Sequence, residues 1–363
     1  MAFFKGQRIT ATSYNELVDK INKVFADKYP DAQPTENIPT RENQKFGWGN
    51  SPANNVTRGQ TIKAETVNQV VDRVNLSAEH VGSEYELDRV LTGQKITAGI
   101  WNDIEALVED ITPDKNNAGP GQRSLAQMGT IVRAEPFVGT PPLIYVLNFR
   151  FDDYDHARHF FNSSSQLKFW LERSGGNTVD GYWQTAYERL GTVTLGLNTT
   201  ASTTPNVITE SKGFVHLNET EQLLLSMIHT TRSGYGYGGY GYGYGGYGYG
   251  YGYGYGYGYG YGYGYGYGYG CGYGYGYGYG YGNCQVTRKI QIKGKIVPVS
   301  GSNYQNGPVD LVITVILTGL ASDITAGTHR LYVQSNKATT KTAGAATFEI
   351  KNSVFSGFSN PVP

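Results

Sequence analysis

The densest group of side chains that can do chemistry lies between residues 152 and 159. It contains three carboxylates and two imidazoles: Asp152, Asp153, Asp155, His156 and His159. His156 and His159 are three residues apart, so on a helix they share a face and, with Asp155, form a candidate metal site. The alternative is that the aspartates cap a short turn and that Phe160 and Phe161 pack into a core. We favour this second interpretation and expect no metal.

Motifs of the common enzyme classes are absent from the sequence. It has no Gly-x-Ser-x-Gly, no phosphate-binding loop and no His-Glu-x-x-His. Hydrolysis of a glycan would require paired carboxylates in a groove, and the sequence by itself does not place such a pair. We therefore expect a protein without enzymatic activity and without a cofactor.

A tract of Gly and Tyr interrupts an otherwise ordinary composition. Residues 234–282 contain 26 Gly, 22 Tyr and one Cys, and all 30 basic and 30 acidic residues lie outside them. From Gly248 onward the two residue types alternate, so a β-strand would carry every Tyr on one face. The tyrosines of this predicted fibre or adhesion surface are Tyr249, Tyr251, Tyr253, Tyr255, Tyr257, Tyr259, Tyr261, Tyr263, Tyr265, Tyr267 and Tyr269.

Two interpretations of the tract stay open. One is a fibre or spike in which several chains lie side by side, because stacked rings contribute ~0.5–1.5 kcal/mol per pair beyond their buried area. The other is a disordered aromatic loop, because ordering each residue costs ~1–2 kcal/mol and glycine more. Tyrosine rings that are exposed to solvent would also be suited to binding host-surface glycans.

The tract replaces a turn between two candidate strands. Thr230–Arg232 precedes it and Val286–Ile292 follows it, so its ends should be close together. Running out and back as strands, it would project about 80 Å at ~3.3 Å per residue. Cys271 occupies a Tyr position and Cys284 follows the tract; an intrachain disulfide, an interchain disulfide and free thiols are all compatible with these positions.

A short element occurs three times in the first 112 residues. Each copy reads Gly-Gln-x-Ile-x-Ala and is followed at one offset by Asn; the copies begin at Gly6, Gly59 and Gly93, and the asparagines are Asn15, Asn68 and Asn102. Each continues as an amphipathic helix that is too short to be stable alone. Its apolar face must therefore pack within a small helical domain or against another chain as an anchor or oligomer interface. The residues of this predicted face are Tyr14, Leu17, Ile21, Val67, Val70, Val74, Trp101, Ile104 and Val108.

The predicted fold is an α+β multidomain chain. Short helical repeats occupy residues 1–112, residues 113–128 form a linker, and an antiparallel β-sandwich takes residues 129–233 plus 284–363, with the Gly-Tyr insert at 234–283 projecting from one β turn. The predicted strands are Thr130–Ala134, Leu143–Phe151, Gln166–Arg173, Gly191–Leu197, Gly213–Leu217, Val286–Val299, Val309–Leu317, His329–Ser335 and Thr347–Val354.

Charge and hydropathy exclude two classes of partner. The formal net charge is zero at pH 7, so the electrostatic pattern of a nucleic-acid-binding protein is missing. No run of about 18 apolar residues occurs, so no membrane-spanning helix is expected.

The segment Phe151–Ser163 contains Asp-His-Ala-Arg-x-Phe-Phe-Asn and precedes a predicted strand and a Ser/Gly-rich turn. This string resembles a motif of virion structural or tail-fibre-like proteins from contractile-tailed marine phages, cyanophages and their relatives. The repeated element that begins at Ile9 in the first copy is similar to the same proteins. The resemblance implies a virion structural protein, with the tail or its fibres favoured and the head or neck as the alternative.

From these features we expect a non-enzymatic virion protein whose helical repeats anchor it and whose β domain carries a Gly-Tyr fibre. Its partners would be further copies of itself, with a trimer favoured on family grounds, and other virion proteins. The alternative function is an adhesin whose tyrosines contact host surface glycans.

Overall fold

The computed structural model places two groups of secondary-structure elements on either side of the Gly-Tyr tract. The described residues are 9–25, 47–119, 122–134, 136–138, 142–204, 211–233, 284–304, 306–319, 324–338, 348–350 and 354–356. Within them the chain is a mixed α and β protein with five α-helices and antiparallel sheets. Its buried apolar side chains form two separate clusters, one among the N-terminal helices and one against the sheets.

Three helices follow the three sequence copies. They are α1 (Ala11–Phe25), α2 (Ala64–Val81) and α3 (Ala98–Ile111), and each begins at the Ala of its copy. Their apolar faces meet in one core, where the rings of Tyr14 and Trp101 pack edge to face with centroids 5.5 Å apart.

The nine residues of the predicted anchor face all lie inside this core. Each is at most 4 % exposed: Tyr14, Leu17, Ile21, Val67, Val70, Val74, Trp101, Ile104 and Val108. The helices therefore bury these side chains against one another, as the small-domain alternative predicted. An anchor or an oligomer interface has to be formed by other residues, because these are already enclosed by their own chain.

In the part of the chain that the structure describes, the β strands form two large antiparallel sheets and one small one. The first sheet has the order β1 (Arg123–Arg133), β11 (Thr328–Ala338), β4 (Gln166–Ser174), β5 (Val193–Leu195) and β6 (Thr200–Ser202). In the second sheet, β12 (Phe348–Ile350) and β13 (Val354–Ser356) pair with β3 (Leu143–Phe151), followed by β9 (Val309–Thr318), β8 (Cys284–Pro298) and β7 (Gln222–Ser233). The small sheet joins β2 (Phe137–Val138) to β10 (Ile324–Thr325).

Alternating burial along the strands explains why the sheets enclose a core. In β3 and β9 every second side chain is buried, which is the pattern of a strand with one face inside. Phe149 of the second sheet contacts Phe169 of the first with ring centroids 6.1 Å apart. The inner faces of the two sheets thus share one cluster, which is consistent with the expected sandwich.

Two sequence predictions need correction in this region, and one helix was missed. Residues 213–217 are not a strand, because Phe214–His216 form a single 3-10 turn whose first residue stacks on the ring of Phe161. The first strand begins at Arg123, inside the segment 113–128 that was expected to be a linker. The helix α5 (Thr178–Leu190) was not predicted, although Asn177 caps it by accepting hydrogen bonds from the backbone N–H of Val179 and Asp180.

The Asp-His-Ala-Arg-x-Phe-Phe-Asn string forms a helix, α4 (Tyr154–Asn162), that joins the two cores. Asp153 caps it by accepting from the backbone N–H of His156 at 2.8 Å. Phe160 and Phe161 are buried in the sheet core, as predicted. On the other side of α4, the backbone carbonyl of Asn162 accepts a hydrogen bond from the Asn116 side chain, which follows α3, at 2.9 Å.

Gly49 provides a second contact between the helical part and α4. Its φ is +83°, and a Cβ atom at this position would lie 2.8 Å from Nδ1 of His159. His159 is only 3 % exposed, so its ring has little room to move away. Gly59 has a similar φ of +91°, but nothing lies within 4 Å of its Cβ position.

We expect Gly49→Ala to destabilise the chain more than Gly59→Ala does. Both substitutions place a side chain in the left-handed region, which costs roughly 1–2 kcal/mol, but only the first also forces the methyl group against His159. Overpacking of this kind adds about 1–3 kcal/mol. Urea unfolding of the two variants measures the difference, and equal free energies of unfolding would contradict the close contact.

Candidate functional site

The two ends of the Gly-Tyr tract are fixed by one antiparallel ladder. β7 and β8 pair from Gln222 opposite Gly294 to Ser233 opposite Cys284, with one irregularity near Leu224. Ser233 and Cys284 are the residues that flank positions 234–283. The expectation that the tract replaces a turn between two strands, with its ends close together, therefore agrees with this register.

The last part of this ladder is a two-stranded ribbon. β9 stops pairing with β8 where Thr318 lies opposite Lys289, so among the described residues 284–288 pair with β7 alone. An isolated two-stranded ribbon is marginally stable in water. The base of the tract therefore needs support from outside the sheet, and α5 supplies it.

Arg288 links the ribbon to α5. Its side chain is fully buried, and its guanidinium carbon lies 4.9 Å from the ring centroid of Tyr182 and 5.7 Å from that of Trp183. A guanidinium over aromatic faces is attracted by the ring quadrupole, and the attraction is stronger where water is excluded. This contact therefore holds the ribbon against the first half of α5.

His229 lies directly across the ladder from Arg288. It is 5 % exposed, and neither ring nitrogen has a hydrogen-bond partner among the described residues. Burial lowers the pKa of His229, and the positive charges of Arg189 and Arg288 lower it further. The imidazole is therefore neutral at pH 7, which avoids a third positive charge at this place.

A buried polar chain anchors α5 to the first sheet. The Asp180 carboxylate accepts hydrogen bonds from the backbone N–H of Asn177 at 2.8 Å, Ala326 at 3.0 Å and Gly327 at 2.9 Å. Nε2 of His329 is 3.2 Å from the same carboxylate, and its Nδ1 is 2.7 Å from the Tyr187 hydroxyl. The α5 helix is thereby fixed at both its first and its third turn.

The protonation of this chain follows from its contacts. Burial alone would raise the pKa of Asp180, but its backbone hydrogen bonds and His329 bring that pKa below the usual value. Burial lowers the pKa of His329, against the opposite effect of Asp180. A neutral His329 that donates from Nε2 to Asp180 and accepts at Nδ1 from Tyr187 satisfies all three groups.

The Asp180–His329 pair has the residue types of an acid-base relay, but no surface for a substrate. Both side chains are 0 % exposed, and general acid-base catalysis requires a side chain within hydrogen-bond reach of the reacting group. This arrangement therefore serves to position α5 beneath the ribbon.

The candidate metal residues do not converge. His156 Nδ1 lies 3.2 Å from an oxygen of Asp153, and Asp155 accepts a hydrogen bond from Arg158 Nε at 3.0 Å. The rings of His156 and His159 are 6.5 Å apart and nearly perpendicular. Across the described ranges no group of three or more metal-ligating side chains occurs. Asp153, Asp155 and His156 are thus engaged in contacts within α4 and its cap.

The remaining predicted site residues belong to the tract. Cys271 and the tyrosines from Tyr249 to Tyr269 lie outside the described residues, and Cys284 begins β8 at the backbone. Their predicted roles in a disulfide and in a fibre or adhesion surface stay predictions.

Sequence reasoning missed the residues that support the ribbon. They are Asp180, Tyr187, His229, Arg288 and His329. One local signal was present, because Asn177-x-x-Asp180 is a capping pattern ahead of apolar residues at helical spacing. The partners of these residues, in contrast, come from distant segments: His329 lies 149 positions from Asp180 and 142 from Tyr187, and Arg288 is on the strand that follows the tract while His229 is on the strand before it.

Comparisons of the chain with protein-family models, curated proteins and solved structures return no match. Among the helices in the described part of the chain, none combines the length and apolar character needed to cross a membrane.

We expect His229 to make the stability of the β region depend on pH. Its pKa is lowered in the folded chain, so below about pH 6.5 the unfolded chain binds the proton more readily and stability falls, by at most ~1.4 kcal/mol per pH unit. His229→Leu removes this contribution while preserving an apolar fit. Urea unfolding at pH 7.5 and pH 5.5 measures the change.

The control for this experiment is Ile228→Ala, because Ile228 is exposed on the same strand. We expect this control to keep the pH dependence of the original chain. His329→Leu is not a suitable control, since it also breaks the contacts to Asp180 and Tyr187. Identical pH dependence in His229→Leu and in the original chain would contradict the assignment.

Proposed function

We propose that the chain is a non-enzymatic structural protein of a phage particle, in which the β region carries the Gly-Tyr tract as a fibre or spike. The observation that carries this proposal is the register of β7 and β8, which brings Ser233 opposite Cys284. Both ends of the tract, Ser233 and Cys284, lie opposite each other on the two-stranded ribbon that α5 supports. The tract would therefore leave the protein at one point and in one direction. This is the geometry that a projecting element requires.

The composition of the tract supports an ordered projection. Strict alternation from Gly248 gives each strand a Gly face, where backbones approach closely, and a Tyr face of stacked rings. One hairpin of this kind is marginal by itself. Several chains side by side bury both faces of each ring, so the proposal includes a homo-oligomer, with a trimer favoured.

The resemblance of the α4 string to virion proteins supports a place in a phage particle. The proposal favours the tail or its fibres, with the head or neck as the alternative. Other virion proteins are its expected partners. The helical region is the proposed attachment unit, through surfaces other than its enclosed apolar faces.

The register allows a sharp test in which the tract is replaced by a turn. Exchange of residues 234–283 for Asn-Gly joins Ser233 to Cys284 through a two-residue hairpin loop of the favoured type. We expect the melting temperature of the β region to change by less than about 4 °C. For a chain of this size, such a change corresponds to less than ~1 kcal/mol in the free energy of unfolding. Electron microscopy should show a projection of about 80 Å on the full chain and none on the variant.

A matched control keeps the length of the tract and removes its rings. Substitution of the tyrosines from Tyr249 to Tyr269 by Ser retains every Gly, and we expect it to lose both the projection and the association of chains measured by light scattering. A full chain that lacks a projection, or whose amides across 248–270 exchange as fast as those of a free peptide, would refute the fibre.

An aromatic pair on the outer face of the first sheet favours a second candidate function, the binding of host glycans. Trp170 and Tyr332 are opposite each other across β4 and β11, half-exposed, with parallel rings whose centroids are 5.0 Å apart. The Trp170 indole N–H donates to Glu172 at 3.1 Å, and Arg330 is paired with Glu172 in register. Flat rings bordered by charged hydrogen-bonding groups suit a sugar.

If the outer face binds glycans, Trp170→Ala should lower the affinity at least about tenfold, because one large apolar side chain contributes roughly 1.5–3 kcal/mol when buried and ~1.4 kcal/mol is tenfold in affinity. Val132→Ala is the control, since Val132 is exposed on the same sheet and outside the pair. Glycan arrays followed by titration calorimetry measure binding. Binding that Trp170→Ala leaves unchanged but the turn variant abolishes would assign the glycan to the tract tyrosines.

A further inference from the structure

Asparagine side chains hold an extended segment between α2 and α3 against α2. The Asn68 side chain bonds both backbone groups of Val90, at 2.7 and 2.9 Å. The Asn75 side chain bonds both backbone groups of Leu87, each at 2.8 Å. The asparagines are seven residues apart and the held residues three, so about 10 Å of extended chain runs along about 10 Å of helix. We call residues 84–92 the second connecting segment.

The first connecting segment, residues 50–58, is held to α1 by the same contacts. Asn15 bonds both backbone groups of Val56, at 2.9 and 3.1 Å. Asn22 bonds both backbone groups of Ala53, at 2.8 and 3.1 Å. Counted back from the Gly-Gln pair that follows each segment, the held positions are the same in both. The exposed positions of the two segments can therefore be compared one by one.

The second connecting segment exposes two large apolar side chains. Tyr85 is 57 % exposed and Leu91 is 71 % exposed. The matching positions of the first connecting segment are Ser51 and Thr57, which are also exposed. One exposed apolar residue is ordinary on a protein surface, but the first segment shows that this arrangement accepts polar residues at both positions. The apolar surface of Tyr85 and Leu91 therefore indicates a contact beyond the helical core.

Negative charge also distinguishes the second connecting segment. Glu86 and Asp88 are exposed between its two apolar residues, where the first segment has Pro and Asn. With Asp103 of α3 they line a groove of about 250 Å³ between the segment and that helix. Among the described residues of the groove, Arg89 is the one cation, and its Nε already lies 3.3 Å from Oδ1 of Asp72. The groove therefore favours a cationic side chain from outside.

The outer face of the second sheet carries positive charge. Lys289, Lys293 and Lys295 of β8 are half-buried and alternate with buried residues, so all three lie on one face of the strand. Lys293 is 3.1 Å from Glu221, whereas Lys289 and Lys295 form no ion pair with any residue that the structure describes. We call these three side chains the lysine face.

Apolar side chains border the lysine face at both ends. Ile228, which is 54 % exposed, lies opposite Lys289, and the half-buried Val312 lies opposite Lys295. The two lysines are six residues apart, about 20 Å on a strand, and the two exposed apolar residues of the second connecting segment are also six apart. The segment and the lysine face thus have apolar ends at the same spacing and opposite charges between them.

We propose that the second connecting segment of one copy of this chain packs on the lysine face of the next copy. Its apolar ends then cover Ile228 and Val312, and a lysine enters the carboxylate groove, which suits an amine on a long apolar stem. The inference rests on the proposed homo-oligomer but involves no residue of the Gly-Tyr tract. Charge pairs across an interface fix register and partner choice more than affinity, so the contact orients copies that the tract holds together. Because it joins two different patches, it can repeat from copy to copy and close a ring such as the favoured trimer.

Zero-length cross-linking of the full-length chain tests the contact, because a carbodiimide joins a lysine amine to a carboxylate only where the two touch. Copies labelled with 14N and with 15N are mixed, assembled and cross-linked, so that mass spectrometry recognises links between chains. We expect mixed-isotope peptides that join Lys289 or Lys295 to Glu86, Asp88 or Asp103. An oligomer without these peptides, or with same-isotope links alone, would overturn the contact while the homo-oligomer stands. A chain that light scattering finds to be monomeric would overturn both.

A first variant removes the apolar part of the contact and keeps every amine and carboxylate. Tyr85→Ser with Leu91→Thr gives the second connecting segment the residues of the first. We expect the yield of mixed-isotope peptides to fall at least about tenfold, because the burial of two exposed apolar side chains is lost. Leu125→Ser with Val132→Thr is the matched control, since both residues are exposed on β1, and it should leave the yield unchanged. Equal yields from the Tyr85 and Leu91 variant and the original chain would contradict the contact.

An exchange of charges tests the pairing itself. Lys289→Glu with Lys295→Glu should abolish the links to the groove. Addition of Glu86→Lys and Asp88→Lys to the same chain reverses both partners and should restore mixed-isotope links between the same positions. Lys168→Glu changes a half-buried lysine on the outer face of the first sheet and should leave the links unchanged. An exchanged chain that keeps its melting temperature and forms no such links would overturn the proposal.

Cross-linking of intact particles decides between two occupants of the second connecting segment. We expect the links to Lys289 or Lys295 of another copy to occur there as well. Links from Glu86 or Asp88 to a lysine of a different protein, in place of these, would overturn the self-contact and assign the segment to a neighbouring virion protein.

Discussion

Backbone pairing between β7 and β8 is the constraint on which the rest of this structure depends. β8 is bonded to β7 on one edge and to β9 on the other, so a slip of one residue would turn Ile290 and Ile292 from the core to solvent. The register is therefore fixed by burial and not by the connection. A connection of any length is tolerated between the strands, because the entropy of loop closure grows slowly with length.

The same constraint explains the arrangement of charges beneath the tract. The ribbon extends beyond β9, and the fully buried Arg288 secures it to α5. A buried guanidinium requires neighbours that do not add positive charge, and the lowered pKa of His229 meets this requirement. Asp180 and His329 then fix α5 to the first sheet. The base of the proposed spike is thus connected to both large sheets, because α5 contacts Arg288 of the second sheet and His329 of the first.

The sequence predicted the regular elements well and the irregular ones poorly. Period-two burial in β3 and β9 was visible as alternating side chains, and the three N-terminal helices follow from apolar spacing. The α4 string was correctly expected to be a cap with two buried Phe rings. The α5 helix was missed because its apolar residues are few and mixed with polar ones. The contact of Gly49 with His159 was invisible because it joins distant segments.

By itself, the sequence determined the local choices. These are the helices of the three copies, the alternation of apolar and polar side chains along the strands, and the position of the Gly-Tyr tract between two strand-forming segments. Only the tertiary structure decided which faces meet: it enclosed Tyr14 and Trp101 in the chain's own core, placed His229 opposite Arg288, and brought Asp180 to His329. Propensity and periodicity act over a few residues, whereas the choice of partner depends on how all the elements together bury their apolar surface and satisfy their polar groups.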